Sequence, residues 1–210
     1  MRKLNNMQTV VIATHNPSKL VELQELLSDL PLHMVTLHDV GIREDVVEDG
    51  DTYEANSQKK ALFYAKRADL PAISDDGGLE IFALGNKPGV HSKRWIGEDK
   101  TEDDLIKHMT YVAKTLPDDN RGATFNVVLS FALPNGRVWS VGDKIEGSIA
   151  KEPSIKRMPG FPYRSFFFLP KLNKYFFESE LTPEEQKKYN HRVRAVNKLK
   201  PILQKELGLV

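Results

Sequence analysis

Thr9-Val10-Val11-Ile12-Ala13-Thr14-His15-Asn16-Pro17-Ser18-Lys19-Leu20 passes from one kind of local structure to another within a few residues. Residues 9–13 form a short apolar, largely β-branched run, the pattern of a buried strand. Asn16-Pro17 then opens a helix, because Asn is a favoured N-cap and Pro is favoured at the first helical position. Leu20, Leu23, Leu27 and Leu30 continue it at helical spacing. A strand feeding directly into a helix points to an α/β or α+β chain built around a mixed sheet.

The alternation continues outward from that stretch. A short strand is expected around residues 33–37, followed by an acidic segment over residues 44–51 and a helix over residues 52–68. Ala72-Ile73-Ser74 reads as a short apolar strand running into Asp75-Asp76-Gly77-Gly78, where two glycines let the backbone turn sharply. Residues 101–116 give another helix. Residues 123–133 and 137–149 are strands flanking Pro134-Asn135-Gly136, a hairpin turn, and residues 166–169 are a further buried strand. A last helix starts at Thr182-Pro183-Glu184-Glu185, where Thr and Glu three apart form a capping box. No repeat, low-complexity tract or linker divides the chain, so residues 1–210 are expected to form one large domain.

Bulk composition narrows the function classes. The 210 residues are 40% hydrophobic and 28% charged, ordinary values for a globular protein with a substantial core. With 30 basic and 29 acidic residues the formal net charge is +1. No global field favours nucleic acid or an anionic membrane, so any anion site must be built locally. The absence of cysteine removes disulfide scaffolds, thiolate metal sites and thiol nucleophiles together. Met1-Arg2-Lys3-Leu4-Asn5-Asn6-Met7 leads into an apolar run, residues 10–13, too short for a signal-peptide core or a membrane span. A cytoplasmic protein is therefore expected.

Five segments carry chemistry, each with a plainer structural reading beside it. Thr14-His15-Asn16-Pro17-Ser18-Lys19 aims helix N-terminal amides and a lysine at one point, which suits a triphosphate, although the glycines of a Walker loop are missing. A well-capped helix with a solvated lysine explains the same residues. Asn56 and Lys60, four apart, project from one face of the second helix, just after Glu48-Asp49-Gly50-Asp51. They suit phosphate, or else an amphipathic surface helix. Asp75 and Asp76 after an apolar strand suit Mg²⁺, which favours one or two carboxylates plus substrate phosphates, and a carboxylate there can also deprotonate water. A polar Asp-Gly turn is the alternative. Arg94, behind Pro88-Gly89, can clamp phosphate or stack on Trp95. His191 and Arg192 can donate to a keto-rich base, or lie on a helix surface.

In this order the segments resemble one family, the inosine/xanthosine triphosphate pyrophosphatases. The matching residues are Thr14-His15-Asn16-Pro17-Ser18-Lys19; Asp51-Thr52-Tyr53-Glu54-Ala55-Asn56 with Lys60-Ala61; and Ser74-Asp75-Asp76-Gly77-Gly78-Leu79-Glu80. They continue through Pro88-Gly89-Val90, Ser92-Lys93-Arg94, Glu146-Gly147, Gly160-Phe161 and His191-Arg192, spanning about residues 9–203. The resemblance implies an α/β fold with an elongated mixed sheet, flanking helices and two lobes around a central nucleotide cleft. It implies Mg²⁺-dependent attack of water between the α- and β-phosphates of a deaminated purine nucleoside triphosphate such as ITP, dITP or XTP, and a homodimer. Carried over, Asp76 is the catalytic acid or base and a metal carboxylate, with Glu48 and Asp75 as further metal carboxylates. Thr14, Asn16, Lys19, Asn56, Lys60, Gly77 and Arg94 fall on the phosphate side. Phe161, Tyr163, Arg164, Gln186, His191 and Arg192 fall on the base side.

The departures cluster on the base side. The family's Gly-Phe-Gly-Tyr-Asp-Pro is here Gly160-Phe161-Pro162-Tyr163-Arg164-Ser165, so a carboxylate has become a guanidinium and an acceptor a donor. Gln186 and Asn190 take positions where the family often has Lys and Ser, and Gly77 replaces a common Ser. One expectation is that Arg164 and Gln186 compensate for one another. Two alternatives to the first functional reading follow: the same hydrolysis on a different modified nucleotide, or a nucleotide-binding protein without catalysis. A nucleic-acid-binding module has no motif to support it.

Overall fold

The computed structural model describes residues 7–97 and 99–209; residues 1–6, part of the N-terminal segment considered above, lie outside them. The described chain forms β1 (Gln8–Ile12), α1 (Pro17–Leu26), β2 (Leu32–Thr36), α2 (Tyr53–Ala68), β3 (Ala72–Ile81), β4 (Lys87–Pro88) and α3 (Glu102–Thr115). Then follow β5 (Gly122–Ala132), β6 (Val138–Ile149), β7 (Phe167–Leu169), β8 (Lys174–Tyr175), α4 (Pro183–Tyr189) and α5 (His191–Leu207). The strands lie in the order β2-β1-β3-β5-β6-β7-β8, with β4 beside β3. Parallel pairs (β1 with β2 and β3) and antiparallel pairs (β3 with β4, β6 with β7, β7 with β8) make the sheet mixed, and the fold is α/β as expected. No helix among the described residues is long and apolar enough to cross a membrane.

The chain divides into two compact units. The first holds residues up to Asp76, Val128–Gly142 and the chain from Ala195 onward; the second holds Gly77–Val127 and Asp143–Arg194. In the first unit Val11, Ala13, Leu37, Ile42, Val46, Ala61, Tyr64, Ala65, Ala72 and Ala132 form one apolar cluster. The second unit has a separate core in which Phe125, Phe166, Phe167 and Phe176 meet Leu105, Met109 and Val112 of α3.

Three boundaries differ from the sequence expectation. Helix α1 stops at Leu26 rather than continuing through Leu30. Ser28 donates its hydroxyl to the Glu25 carbonyl at 2.7 Å, satisfying a helix-end acceptor locally, and Leu27 and Leu30 are buried in the turn beyond. The expected turn at Asp75-Asp76-Gly77-Gly78 is instead the middle of β3. A Cβ on Gly77 would lie 2.2 Å from the Asn126 carbonyl oxygen, so glycine here permits close approach of β5 rather than a turn. The expected last helix is two helices, parted at Asn190, whose backbone is extended (φ −105°, ψ 106°) and whose side chain accepts from the Arg192 and Val193 amides to cap α5.

Candidate active site

In the first unit, α2 and β3 supply the centre of a charged cluster. Lys60 is buried on α2 and donates to Glu48 Oε1 at 2.6 Å and to the Asp75 carbonyl at 2.6 Å, with Asp76 Oδ1 at 4.0 Å. Burial alone would lower its pKa. The charges of Asp76, Glu48 and Asp75 outweigh burial and raise it, so Lys60 is an ammonium. Lys19, on the first turn of α1, places Nζ 3.1 Å from Asp75 Oδ1. Asn56, fully buried, receives the Gly50 N–H at 2.8 Å and faces the Gly50 carbonyl at 3.4 Å, which fixes the end of the acidic segment.

Asp76 is 5% exposed. Burial is the largest influence on its carboxyl and Glu48 adds to it; Lys60, Lys19 and a hydrogen bond from Asn56 pull the other way, and the balance lifts it to about 6. Its Oδ2 is buried with no hydrogen-bond partner among the described residues. An ionised oxygen left so is costly, and a cation or a water molecule relieves the cost. Among the described residues, three carboxylates (Glu48, Asp75, Asp76) gather with two ammonium groups (Lys19, Lys60), so carboxylates outnumber these ammonium groups. Among the described residues no three or more His, Cys, Asp or Glu side chains gather as an all-protein metal cage. Mg²⁺ needs none, since it keeps waters and takes one or two carboxylates plus substrate phosphates. The open oxygen and the excess of carboxylates fit such an ion.

The loop of residues 14–16 shows both of its readings. Thr14 Oγ1 accepts the Asn16 N–H at 3.1 Å, and Asn16 Oδ1 accepts from Ser18 and Lys19 at 2.9 and 3.3 Å. The first amides of α1 therefore serve the cap, while Lys19 reaches into the cluster. Thr14, Asn16, Lys19, Glu48, Asn56, Lys60, Asp75 and Asp76 all belong to the first unit; Gly77 and Arg94 belong to the second. Arg94 closes the short 3₁₀ helix Gly89–Arg94, and the neighbouring Trp95 ring meets His108 edge-on at 4.7 Å.

The residues expected on the base side all lie in the second unit. The Arg164 guanidinium lies 3.6 Å from the Phe161 ring centre and 5.3 Å from that of Phe176, and forms an ion pair with Glu178. Arg192 stands 5.4 Å from the same Phe161 ring. His191 stacks on Phe125 with ring centres 6.0 Å apart. The Tyr163 hydroxyl donates to the Ser92 carbonyl at 2.6 Å, and burial raises its pKa. Gln186 donates to the Glu178 carbonyl at 2.6 Å and accepts from Asn190 at 2.8 Å. Glu178 is thus the residue that sequence reasoning missed. Arg164 holds its carboxylate and Gln186 its backbone, so the departures at 164, 186 and 190 are physically connected. A buried arginine needs a carboxylate, and the acidic run Glu178-Ser179-Glu180 was the available signal.

Comparison with known proteins adds the following. The Ham1 family model matches residues 10–202. A dITP/XTP pyrophosphatase of Thermoanaerobacter sp. (strain X514) is 36% identical over 198 residues, covering 94% of this chain and 98% of the relative. The dITP/XTP pyrophosphatase of Bacillus subtilis (strain 168) is 35% identical over 198 residues, with coverage of 94% and 98%. The solved structure of a HAM1 protein from Coxiella burnetii superposes with a TM-score of 0.80 at 33% identity, covering 95% of this chain and 100% of that one.

Proposed function

Because the chain belongs to the Ham1 family, we propose that it hydrolyses deaminated purine nucleoside triphosphates, dITP and XTP among them, to the monophosphate and pyrophosphate with Mg²⁺. The observation that carries this reading is Asp76, a buried carboxylate with an open oxygen, which shares the Lys60 ammonium with Glu48. Asp76 and Glu48 would hold the ion, which when bound neutralises phosphate charge. Asp75 pairs with Lys19 and orients that lysine, and is a further carboxylate for the ion.

The chain's own groups then account for the step. A water oxygen bonds to the α-phosphorus, the bond from that phosphorus to the α,β-bridging oxygen breaks, and pyrophosphate leaves with the electron pair. Asp76 orients the water and accepts its proton. Lys19 and Lys60 stabilise charge moving onto the leaving group. The base is read by donors from His191 and Arg192. One two-lobed domain, acting as a cytoplasmic homodimer, completes the reading; sizing at twice the chain mass checks the dimer.

The test is Mg²⁺-dependent pyrophosphate release from ITP, dITP, XTP, GTP, ATP and modified pyrimidine triphosphates. Turnover of the deaminated purines, lost in Asp76→Asn, is expected. Release from none of them, despite nucleotide binding, would sink the enzyme reading. A second reading, the same hydrolysis on another modified base, is favoured by the Arg164–Glu178 pair, which puts a guanidinium where the family pattern has a carboxylate. It predicts that Arg164→Asp with Gln186→Lys moves the preference towards deaminated purines; an unchanged preference would remove it.

A further inference from the structure

Helix α2 carries a third buried polar side chain in register with Asn56 and Lys60. Asn56, Lys60 and Tyr64 recur every four residues, share one helix face and are all buried. They meet the segment of residues 42–50, which has no regular secondary structure of its own. Each grips it at a different point: Asn56 at the Gly50 backbone, Lys60 at the Glu48 carboxylate, and Tyr64 at its near end. The Tyr64 hydroxyl donates to the Glu44 carbonyl at 3.1 Å and lies 3.5 Å from Asp45 Oδ1.

Each of the three also reaches a second piece of the site. Asn56 bonds the Asp76 carboxylate and Lys60 the Asp75 carbonyl. Tyr64 meets His15 Nε2 at 3.2 Å, in the loop between Thr14 and Asn16, and the same ring nitrogen lies 3.3 Å from the Glu44 carbonyl. Donor and acceptor roles close when His15 carries its proton on Nε2, donating to the Tyr64 oxygen while Tyr64 donates to Glu44. The Tyr64 ring is held in the apolar cluster of the first unit, with the His15 ring edge-on at 6.2 Å. Burial, then the charge of Asp45, pushes the hydroxyl up to about 12, so it remains a protonated donor.

We propose that Tyr64 is a positioning residue whose hydroxyl fixes the loop of residues 14–16 to the segment bearing Glu48, so that the phosphate-binding and carboxylate-bearing loops are held as one. Lys60 and Asn56 belong to the motif through which the sequence resembles its family, and Tyr64 does not. The kinetic part of the test rests on the hydrolase reading.

Tyr64→Phe keeps the buried ring and deletes only the hydroxyl; His15→Ala removes its partner from an exposed position. With a hydrogen bond worth about 1 kcal/mol, each variant is expected to raise KM for dITP about fivefold while kcat changes less than about twofold. The double variant should be no worse than the worse single one, because both delete the same link. Amide hydrogens of residues 44–50 should exchange faster in Tyr64→Phe than in the parent. An unchanged KM in Tyr64→Phe, strictly additive effects, a loss confined to kcat, or unaltered exchange would each overturn the proposal. Parent protein that releases pyrophosphate from no substrate of the panel would instead remove the hydrolase reading, and the exchange comparison would still decide whether Tyr64 holds the segment.

Discussion

Asp76 links stability to pH with a sign opposite to that of most surface carboxylates. Its folded pKa, about 6, lies above the ordinary aspartate value of 3.8, chiefly through burial. The folded state therefore holds this proton more tightly than the unfolded chain does. Its contribution to stability is fully present below about 3.8 and is lost as pH rises through about 6. Over that window the loss is about 3 kcal/mol, taking 1.36 kcal/mol per unit. Asp76→Asn removes the ionisable group, so in metal-free protein the variant should be more stable than the parent at pH 8, by up to about 3 kcal/mol. The gap should close near pH 4. Urea midpoints in EDTA at the two pH values measure this, and a gap independent of pH would show that Asp76 is not desolvated as described. With Mg²⁺ held as proposed, adding it should stabilise the parent at pH 8 and leave Asp76→Asn nearly unmoved, because a ligand of the folded carboxylate alone stabilises the folded state.

At the scale of elements, two sites put partner geometry ahead of local sequence preference. In β3, Gly77 faces the Asn126 carbonyl so closely that Gly77→Ala requires the two strands to separate. A loss of about 1–3 kcal/mol is expected, read from urea unfolding, and a neutral effect would contradict the strand register. In the short 3₁₀ helix Glu178–Glu180 that precedes α4, Glu178 neutralises the buried Arg164. Glu178→Gln should destabilise by about 3 kcal/mol, because it leaves a guanidinium buried without a counter-charge, whereas Arg164→Met with Glu178→Gln should recover most of the loss. Equal destabilisation by single and double variants would show that the pair is not coupled. These two sites also mark the limit of what the sequence discloses. Periodicity and caps locate α2, α3 and β1 to within a residue or two, because burial and N-capping are local properties. Asp75-Asp76-Gly77-Gly78 has turn composition, and only the partner strand decides that Gly77 serves close approach. Likewise Lys19, Asn56, Lys60 and Asp76 stand out by motif, whereas Glu178 and Tyr64 matter through contacts across long sequence separations that no single segment contains.

At the scale of the whole molecule, the net charge is only +1, so the charge proposed to act on a substrate is local. The side chains expected to act on phosphate, Lys19, Lys60, Glu48, Asp75 and Asp76, belong to the first unit, and those expected to read the base, Phe161, Arg164, His191 and Arg192, to the second. Phosphates are common to every nucleoside triphosphate, while the base edge alone distinguishes them. Changes in the first unit should therefore lower turnover of all substrates by one factor, and changes in the second should alter the ratios between substrates. Lys60→Met removes an ammonium proposed to stabilise charge in the transition state, so kcat/KM should fall on the order of 100-fold alike for dITP, XTP and dATP. Arg192→Ala removes the proposed donor to the keto edge, so dITP should lose about tenfold or more against dATP, whose amino group would not gain from that donor. The comparison needs only kcat/KM for three substrates with the parent and two variants. Should Lys60→Met change the ratios, or Arg192→Ala depress every substrate equally, Lys60 and Arg192 would not have the roles proposed for them, and base selection would have to be sought among the residues proposed to hold the phosphates.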